Sequence, residues 1–302
     1  MKRAFLILAG IGTAALLFAA SNTTGPQSKD SESSSNLTKV SGLRDIHGLT
    51  VDVTDSSKIY LASHTGLHLL KNDADLYVVG NARDDYMGFS ADPKSPDTFY
   101  SSGHPSSGGN IGFQKTTDGG LTWEKVSDGV NGPVDFHALA VSQVDPDIIY
   151  GSYAGAMQRS IDNGKTWTVL KDSLQRSRVI SLTTDSTEKD TVYAATNDGL
   201  MVSRDQAATW QSLSSELAGD LVVSLAINPK NNLEMIAYAQ KMGLAKSLDG
   251  GKTWISQKPE LASAPVLALA YDKSKPNIVY GVNQKLEIHK TVDGSTTWSR
   301  VR

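Results

Sequence analysis

The sequence predicts an all-β chain: a single six-bladed β-propeller of four-stranded antiparallel blades. Three observations carry that expectation. All five tryptophans close copies of one motif, and the motif aspartates Asp118, Asp162, Asp205, Asp249 and Asp293 are spaced by 44, 43, 44 and 44 residues. Each interval holds four short β-type runs separated by Gly, Asp and Asn turns, as in Leu139–Val141, Ile148–Gly151, Ala156–Ser160 and Trp167–Leu170. Strands at that spacing with no helical period mean an all-β fold, and four per repeat at this period mean propeller blades.

The motif is most complete in Thr116-Thr117-Asp118-Gly119-Gly120-Leu121-Thr122-Trp123, Ser160-Ile161-Asp162-Asn163-Gly164-Lys165-Thr166-Trp167 and Ser247-Leu248-Asp249-Gly250-Gly251-Lys252-Thr253-Trp254. Two further copies end at Trp210 and Trp298, with Ala207 and Ser295 where glycine is the rule. An Asp side chain can accept from backbone N–H groups inside a tight turn, Gly supplies positive φ, and Trp buries a large surface. The first copy has no tryptophan. It shows only through its strands and Asp73, which lies 45 residues before Asp118. Its segment His47–Asp52 aligns with Met87–Asp92 and His137–Ser142, and an aromatic recurs near the end of each second strand: Tyr60, Tyr100, Tyr150, Tyr193, Tyr238 and Tyr280. The chain then starts on an innermost strand and ends on an outermost one, so closure is expected from packing between blades six and one.

Upstream, Met1-Lys2-Arg3 followed by apolar Ala4 to Ala20 reads as a signal peptide or N-terminal anchor over residues 1–21. Residues 22–40 are Ser/Asn-rich without apolar periodicity and are expected to be a disordered linker, leaving 41–302 for the propeller. The protein is therefore expected to be exported: secreted, periplasmic, or held on the outer side of the cytoplasmic membrane by its N-terminal segment alone. There is no cysteine, hence no disulfide framework, thiolate metal site or thiol nucleophile. A net charge of −3 with interspersed signs gives no nucleic-acid footprint. A monomer is expected.

The repeated S/T-x-D-x-G-x-T-W motif resembles the BNR/Asp-box family, which includes sialidases, xyloglucan-type glycoside hydrolases, sortilin-like receptors and photosystem assembly factors. The resemblance covers nearly all of residues 41–302 and implies that each box is the turn between the third and fourth strands of a blade. Asp118, Trp123, Asp162, Trp167, Asp205, Trp210, Asp249, Trp254, Asp293 and Trp298 are then structural. The boxes define a fold and leave chemistry open. The known catalytic sets are missing: the sialidase F-R-I-P motif has only a weak echo in Leu43-Arg44-Asp45-Ile46, and xyloglucan-type enzymes work between two propellers.

One feature breaks the repeat. Blades one to three lead into their inner strands with Asp45-Ile46-His47, Asp85-Tyr86-Met87 and Asp135-Phe136-His137, whereas blades four to six carry Arg178-Val179-Ile180, Leu221-Val222-Val223 and Pro265-Val266-Leu267. His64 and His104 form a second register-matched pair, each four residues after a repeat tyrosine. Imidazole, carboxylate and thioether together suit a transition metal, copper or zinc, at His47, His64, His104, His137 and Met87. The same rim could bind a small ligand or sugar through Asp45, Asp85, Tyr86, Asp135 and Arg178. A glycoside hydrolase would need an aspartate pair from Asp45, Asp85 and Asp135. A scaffold binding another extracytoplasmic protein is the third reading, and inter-blade hydrogen bonding is the purely structural one.

Overall fold

A computed structural model describes residues 36–171, 174 and 177–302. The signal or anchor segment and most of the linker lie outside the described residues. Six sheets each run in simple order from channel to rim. Blade one comprises Gly48–Val51, Lys58–Ser63, Gly66–Lys71 and Asp75–Val79; blade two, Asp85–Ala91, Phe99–His104, Phe113–Thr116 and Glu124–Ser127. Blade three comprises Ala138–Val141, Ile149–Tyr153, Ala156–Ser160 and Thr168–Leu170; blade four, Val179–Thr184, Val192–Thr196, Gly199–Ser203 and Gln211–Ser212. Blade five holds Val222–Ile227, Met235–Ala239, Gly243–Ser247 and Ile255–Gln257, and blade six Val266–Tyr271, Val279–Asn283, Ile288–Thr291 and Ser299–Arg300. All pairings are antiparallel, and the innermost strands neighbour one another around a closed ring. Among the described residues no helix is long and apolar enough to cross a membrane.

The core is a series of clusters between adjacent blades. Trp123 stacks on Tyr86 with ring centroids 4.8 Å apart, and Trp167 packs against Phe113 and Phe136 at 5.1 and 4.8 Å. The repeat tyrosines sit on the second strands, but mostly near the start rather than the end, and Tyr100 and Tyr193 donate to Asp92 and Asp185 at 3.0 Å.

Each box joins the third and fourth strands. In blade three, Asp162 accepts from Thr166 N at 2.9 Å and Thr166 Oγ1 at 2.6 Å, and Ser160 Oγ donates to it at 2.8 Å. The buried donor of the turn, Gly164 N, goes to Ser160 Oγ instead, at 2.8 Å. The same bond recurs from Gly120 N, Ala207 N, Gly251 N and Ser295 N to the first hydroxyl of each box. Gly164 has φ 83°, and a Cβ there would lie 1.9 Å from Phe113 Cε1. At the equivalent place in blade four, Ala207 adopts φ 66° fully buried in a cluster with Met157, a thinner and more pliable neighbour than Phe113.

Two expectations need correction. Leu37–Lys39, assigned to the disordered linker, is a strand that pairs with Asp75–Val79 and gives blade one a fifth, outermost strand. This strand lies at the rim of blade one, where it covers the sheet edge. Asp73 does not echo the box aspartate. It follows Asn72 (φ 54°), whose N–H donates to Ser57 O as Asn163 N donates to Asp147 O, so Asn72 takes the Asn163 backbone position and Asp73 (φ 57°) comes one residue later. There it closes the ring, accepting from Tyr280 Oη and Lys290 Nζ of blade six, both at 2.7 Å. Asn163 does the same work two repeats along, accepting from Lys115 Nζ at 2.9 Å and donating to Tyr100 Oη at 2.9 Å. Closure thus reuses the contact that joins neighbouring blades. Arg302 adds bonds to the carbonyls of Ala74 and Ser41 at 2.9 and 2.7 Å.

Candidate functional site

The innermost strands line a central cavity of about 1090 Å³, with Met87, His47, His137 and Arg178 among its wall residues. In blades two, four, five and six the inner strand slips register near its start, between Tyr86/Phe89, Val179/Ser181, Val222/Ser224 and Val266/Ala268. Such bulges re-aim side chains at a strand end, and in blade two the bulge spans Met87. Asp85 and His104 are directly paired across blade two. Their approach needs Gly103 (φ 135°), because a Cβ there would lie 1.9 Å from the Asp85 carbonyl oxygen.

The structure brings all four predicted histidines to carboxylates but divides them into two centres instead of one. At the first, His64 Nδ1 lies 3.6 Å from Asp45 Oδ2, His64 Nε2 lies 3.5 Å from Asp85 Oδ2, and His47 Nε2 lies 3.7 Å from Asp85 Oδ1. The His47 and His64 rings are 4.3 Å apart, tilted by 36°. Asp45, His47 and His64 each offer a ligand atom within 4.8 Å of the others. His47 Nε2 and Asp85 Oδ1 are buried and have no hydrogen-bond partner. Asp45 holds a left-handed φ of 53° while its carboxylate accepts from Ile46 N at 3.0 Å. Asp tolerates that conformation better than most residues, and such backbone clusters at functional sites. Burial, followed by the neighbouring His64, pushes the His47 imidazole below its usual value.

At the second centre Asp135 is 3% exposed. Its Oδ2 lies 2.7 Å from His137 Nε2 and 3.1 Å from His104 Nε2, and His104 Nδ1 donates to Gly109 O at 2.8 Å. Ser102 Oγ steadies the loop, accepting from Phe136 N at 2.9 Å and donating to Val134 O at 3.1 Å. The Asp135 bond raises the His137 pKa above its usual value. These are true hydrogen-bond distances, whereas the 3.5–3.7 Å separations of the first centre are too long. Of these, the 3.6 Å between His64 Nδ1 and Asp45 Oδ2 separates two members of the Asp45–His47–His64 group and is close to the edge of about 3.4 Å between two atoms that each lie about 2.1 Å from one tetrahedral ion.

The remaining predictions fall as follows. Met87 lines the cavity, and the group of converging histidine and carboxylate donors, Asp45, His47 and His64, does not include His104 or His137. Tyr86, expected on the binding rim, is 1% exposed and stacked on Trp123, so it is a core residue. Arg178 lines the cavity at the neighbouring blade four, and its charge reaches His137. His68 and His289, set aside as packing or surface residues, are both buried. Sequence reasoning missed Lys273, which lines the same cavity; only its place in the repeat register could have revealed it.

The fold and site define an Asp-box β-propeller with a histidine- and aspartate-lined channel mouth. The sortilin family (Sortilin, neurotensin receptor 3) matches residues 155–254. Among solved structures, a GH74 xyloglucanase from Xanthomonas campestris superposes with TM-score 0.60 at 16% identity, over 87% of this chain and 46% of that one. YCF48 bound to D1 peptide gives TM-score 0.54 at 16% identity, over 87% and 84%. An auxiliary nutrient binding protein from Bacteroides thetaiotaomicron gives 0.61 at 10% identity, over 86% and 70%. The chain thus spans less than half of the xyloglucanase. No curated protein matches. These findings agree with the resemblance read from the boxes: the chain is similar to the sortilin-like and glycosyl-hydrolase-like propellers.

Proposed function

We propose that this protein is an exported ligand-binding propeller that takes up one divalent transition-metal ion, zinc or copper(II), at its channel mouth. Asp45, His47 and His64 are the ligands, and Asp85 is the carboxylate that orients the imidazoles. The observation that carries this reading is the convergence of three N and O donors within 4.8 Å beside a buried, unpartnered His47 Nε2. Imidazole and carboxylate donors suit zinc and copper(II), and a histidine ligand commonly turns its other nitrogen to a carboxylate. Three protein ligands leave a position facing the cavity, where a small molecule or sugar can complete the coordination. Fold neighbours that include a nutrient-binding protein and a peptide-bound propeller support a binding role. The hydrolase alternative gains less, since Asp45, Asp85 and Asp135 each face a histidine.

Calorimetric titration of Zn(II) and Cu(II) into untagged protein tests this reading. One ion per chain is expected at pH 7.5, with affinity reduced about 100-fold or more in His47→Ala and His64→Ala and about tenfold in Asp85→Asn. Binding weakens as pH falls through about 6.5, because protonated imidazole does not ligate. Isotherms for His47→Ala indistinguishable from wild type would leave the histidines as inter-blade packing residues.

A further inference from the structure

The wall of the central channel is one-sided in charge. Histidines apart, its charged residues are Lys171, Arg178 and Lys273, and among the described residues no aspartate or glutamate joins them. The chain as a whole carries a net charge of −3, so this is a local excess of cations. The mouth aspartates Asp45, Asp85 and Asp135 each face a histidine and are not part of that wall. The wall is also divided in polarity. The equivalent positions of the six inner strands all line it: His47, Met87 and His137, then Ile180, Val223 and Leu267. Blades one to three thus present imidazole and thioether, and blades four to six a continuous aliphatic arc. Arg178 stands where the two arcs meet, directly before the inner strand of blade four, which borders that of blade three. Asn197 fixes its backbone, accepting from Arg178 N at 2.6 Å and donating to Arg178 O at 3.2 Å. Among the described residues the guanidinium itself has no hydrogen-bond or ion-pair partner.

We propose that the channel takes a small amphipathic anion, a short aliphatic carboxylate, with its head group on Arg178 and its chain along Ile180, Val223 and Leu267. The proposal rests on the reading of the channel as a ligand site and is independent of the metal. A guanidinium presents paired N–H donors that match the two oxygens of a carboxylate. A cleft lined by one sign of charge also raises the local concentration of the opposite ion. Each CH2 laid on the aliphatic arc leaves water and adds to affinity. The same two features select against other small molecules. A neutral sugar leaves the guanidinium unmatched and sets its hydroxyls against the apolar arc, and inorganic phosphate leaves the arc uncovered.

Calorimetric titration of hexanoate into protein stripped of metal with EDTA, then dialysed free of the chelator, tests the proposal. One hexanoate per chain is expected at pH 7.5. Acetate, which lacks the chain, and hexan-1-ol, which lacks the charge, should each bind about tenfold or more weakly. Arg178→Gln should lose about tenfold in hexanoate affinity while unfolding at the wild-type temperature. Lys230→Gln, which removes an exposed lysine outside the channel wall, should bind as wild type does. No saturable hexanoate binding, acetate or hexan-1-ol bound as tightly as hexanoate, or an unchanged isotherm in Arg178→Gln would overturn it. Because the protein is free of metal, failure of the zinc site leaves this result readable, and failure here leaves the zinc isotherms standing.

Discussion

At the residue scale, the box motif divides its labour in a way its aspartate conceals. The Asp162 oxygens serve Thr166, which is exposed, while Ser160 Oγ accepts the buried Gly164 N. Removing the hydroxyl strands a buried donor; removing the carboxylate releases groups that water can satisfy. Ser160→Ala should therefore cost about 1–3 kcal/mol and exceed the loss from Asp162→Ala, as measured by urea unfolding. That reverses the simple inference from the motif, in which the aspartate holds the turn. Gly164→Ala should cost about 3 kcal/mol or more, since its Cβ would enter the Phe113 ring at a left-handed φ. Ala207→Gly, where Met157 has already made room, should stay within about 1 kcal/mol of wild type. Equal penalties for the two box positions would show that Phe113 and Met157 do not set the tolerance.

At the element scale, ring closure rests on side chains and a short outer strand, with no strand exchanged between the first and last blades. Asp73 is an ion-pair partner of Lys290 and accepts from Tyr280 Oη, with both groups partly shielded from water. Asp73→Ala should therefore destabilise by about 1–3 kcal/mol, and Lys290→Met in that background should add little, because the two act as one contact. Full additivity in a double-mutant cycle would count against the latch. The sequence made the six blades legible because the box is long, periodic and tied to one backbone geometry. It did not make Asp73 legible, because the first blade has a shorter turn in which only the contacts to a tyrosine and a lysine of the preceding blade reveal the likeness to Asn163. Leu37–Lys39 was equally hidden: three residues cannot show a strand period, and this strand exists only because the Asp75–Val79 edge is there to receive it. At the channel mouth, repeat registration located all four histidines, but only three-dimensional distances separate the Asp45–His47–His64 group from the hydrogen-bonded Asp135 centre.

At the scale of the whole molecule, six copies of one design make small electrostatic effects act together. The Thr166, Thr209, Thr253 and Thr297 hydroxyls, followed by the backbone N–H groups of the same residues, hold Asp162, Asp205, Asp249 and Asp293 down to about 2, against 3.8 for a free aspartate. Between those values the unfolded chain binds more protons than the folded one, so stability is complete above about pH 4 and is lost as pH falls toward 2. Near neutrality the mouth histidines oppose one another. His137, raised by Asp135, contributes stability that is present below 6.5 and lost as pH rises through its folded value. His47, lowered by burial, favours the folded state increasingly as pH rises toward 6.5. The melting temperature should therefore change little between pH 6 and 8 and drop steeply below pH 4. Replacing the four box aspartates with asparagine should lower the melting temperature at pH 7 and flatten the acid limb, because the replacement binds no proton in either state. Melting curves from pH 2.5 to 8 on both proteins decide the matter: an acid limb equally steep in the asparagine variant would place the acid sensitivity outside these four boxes.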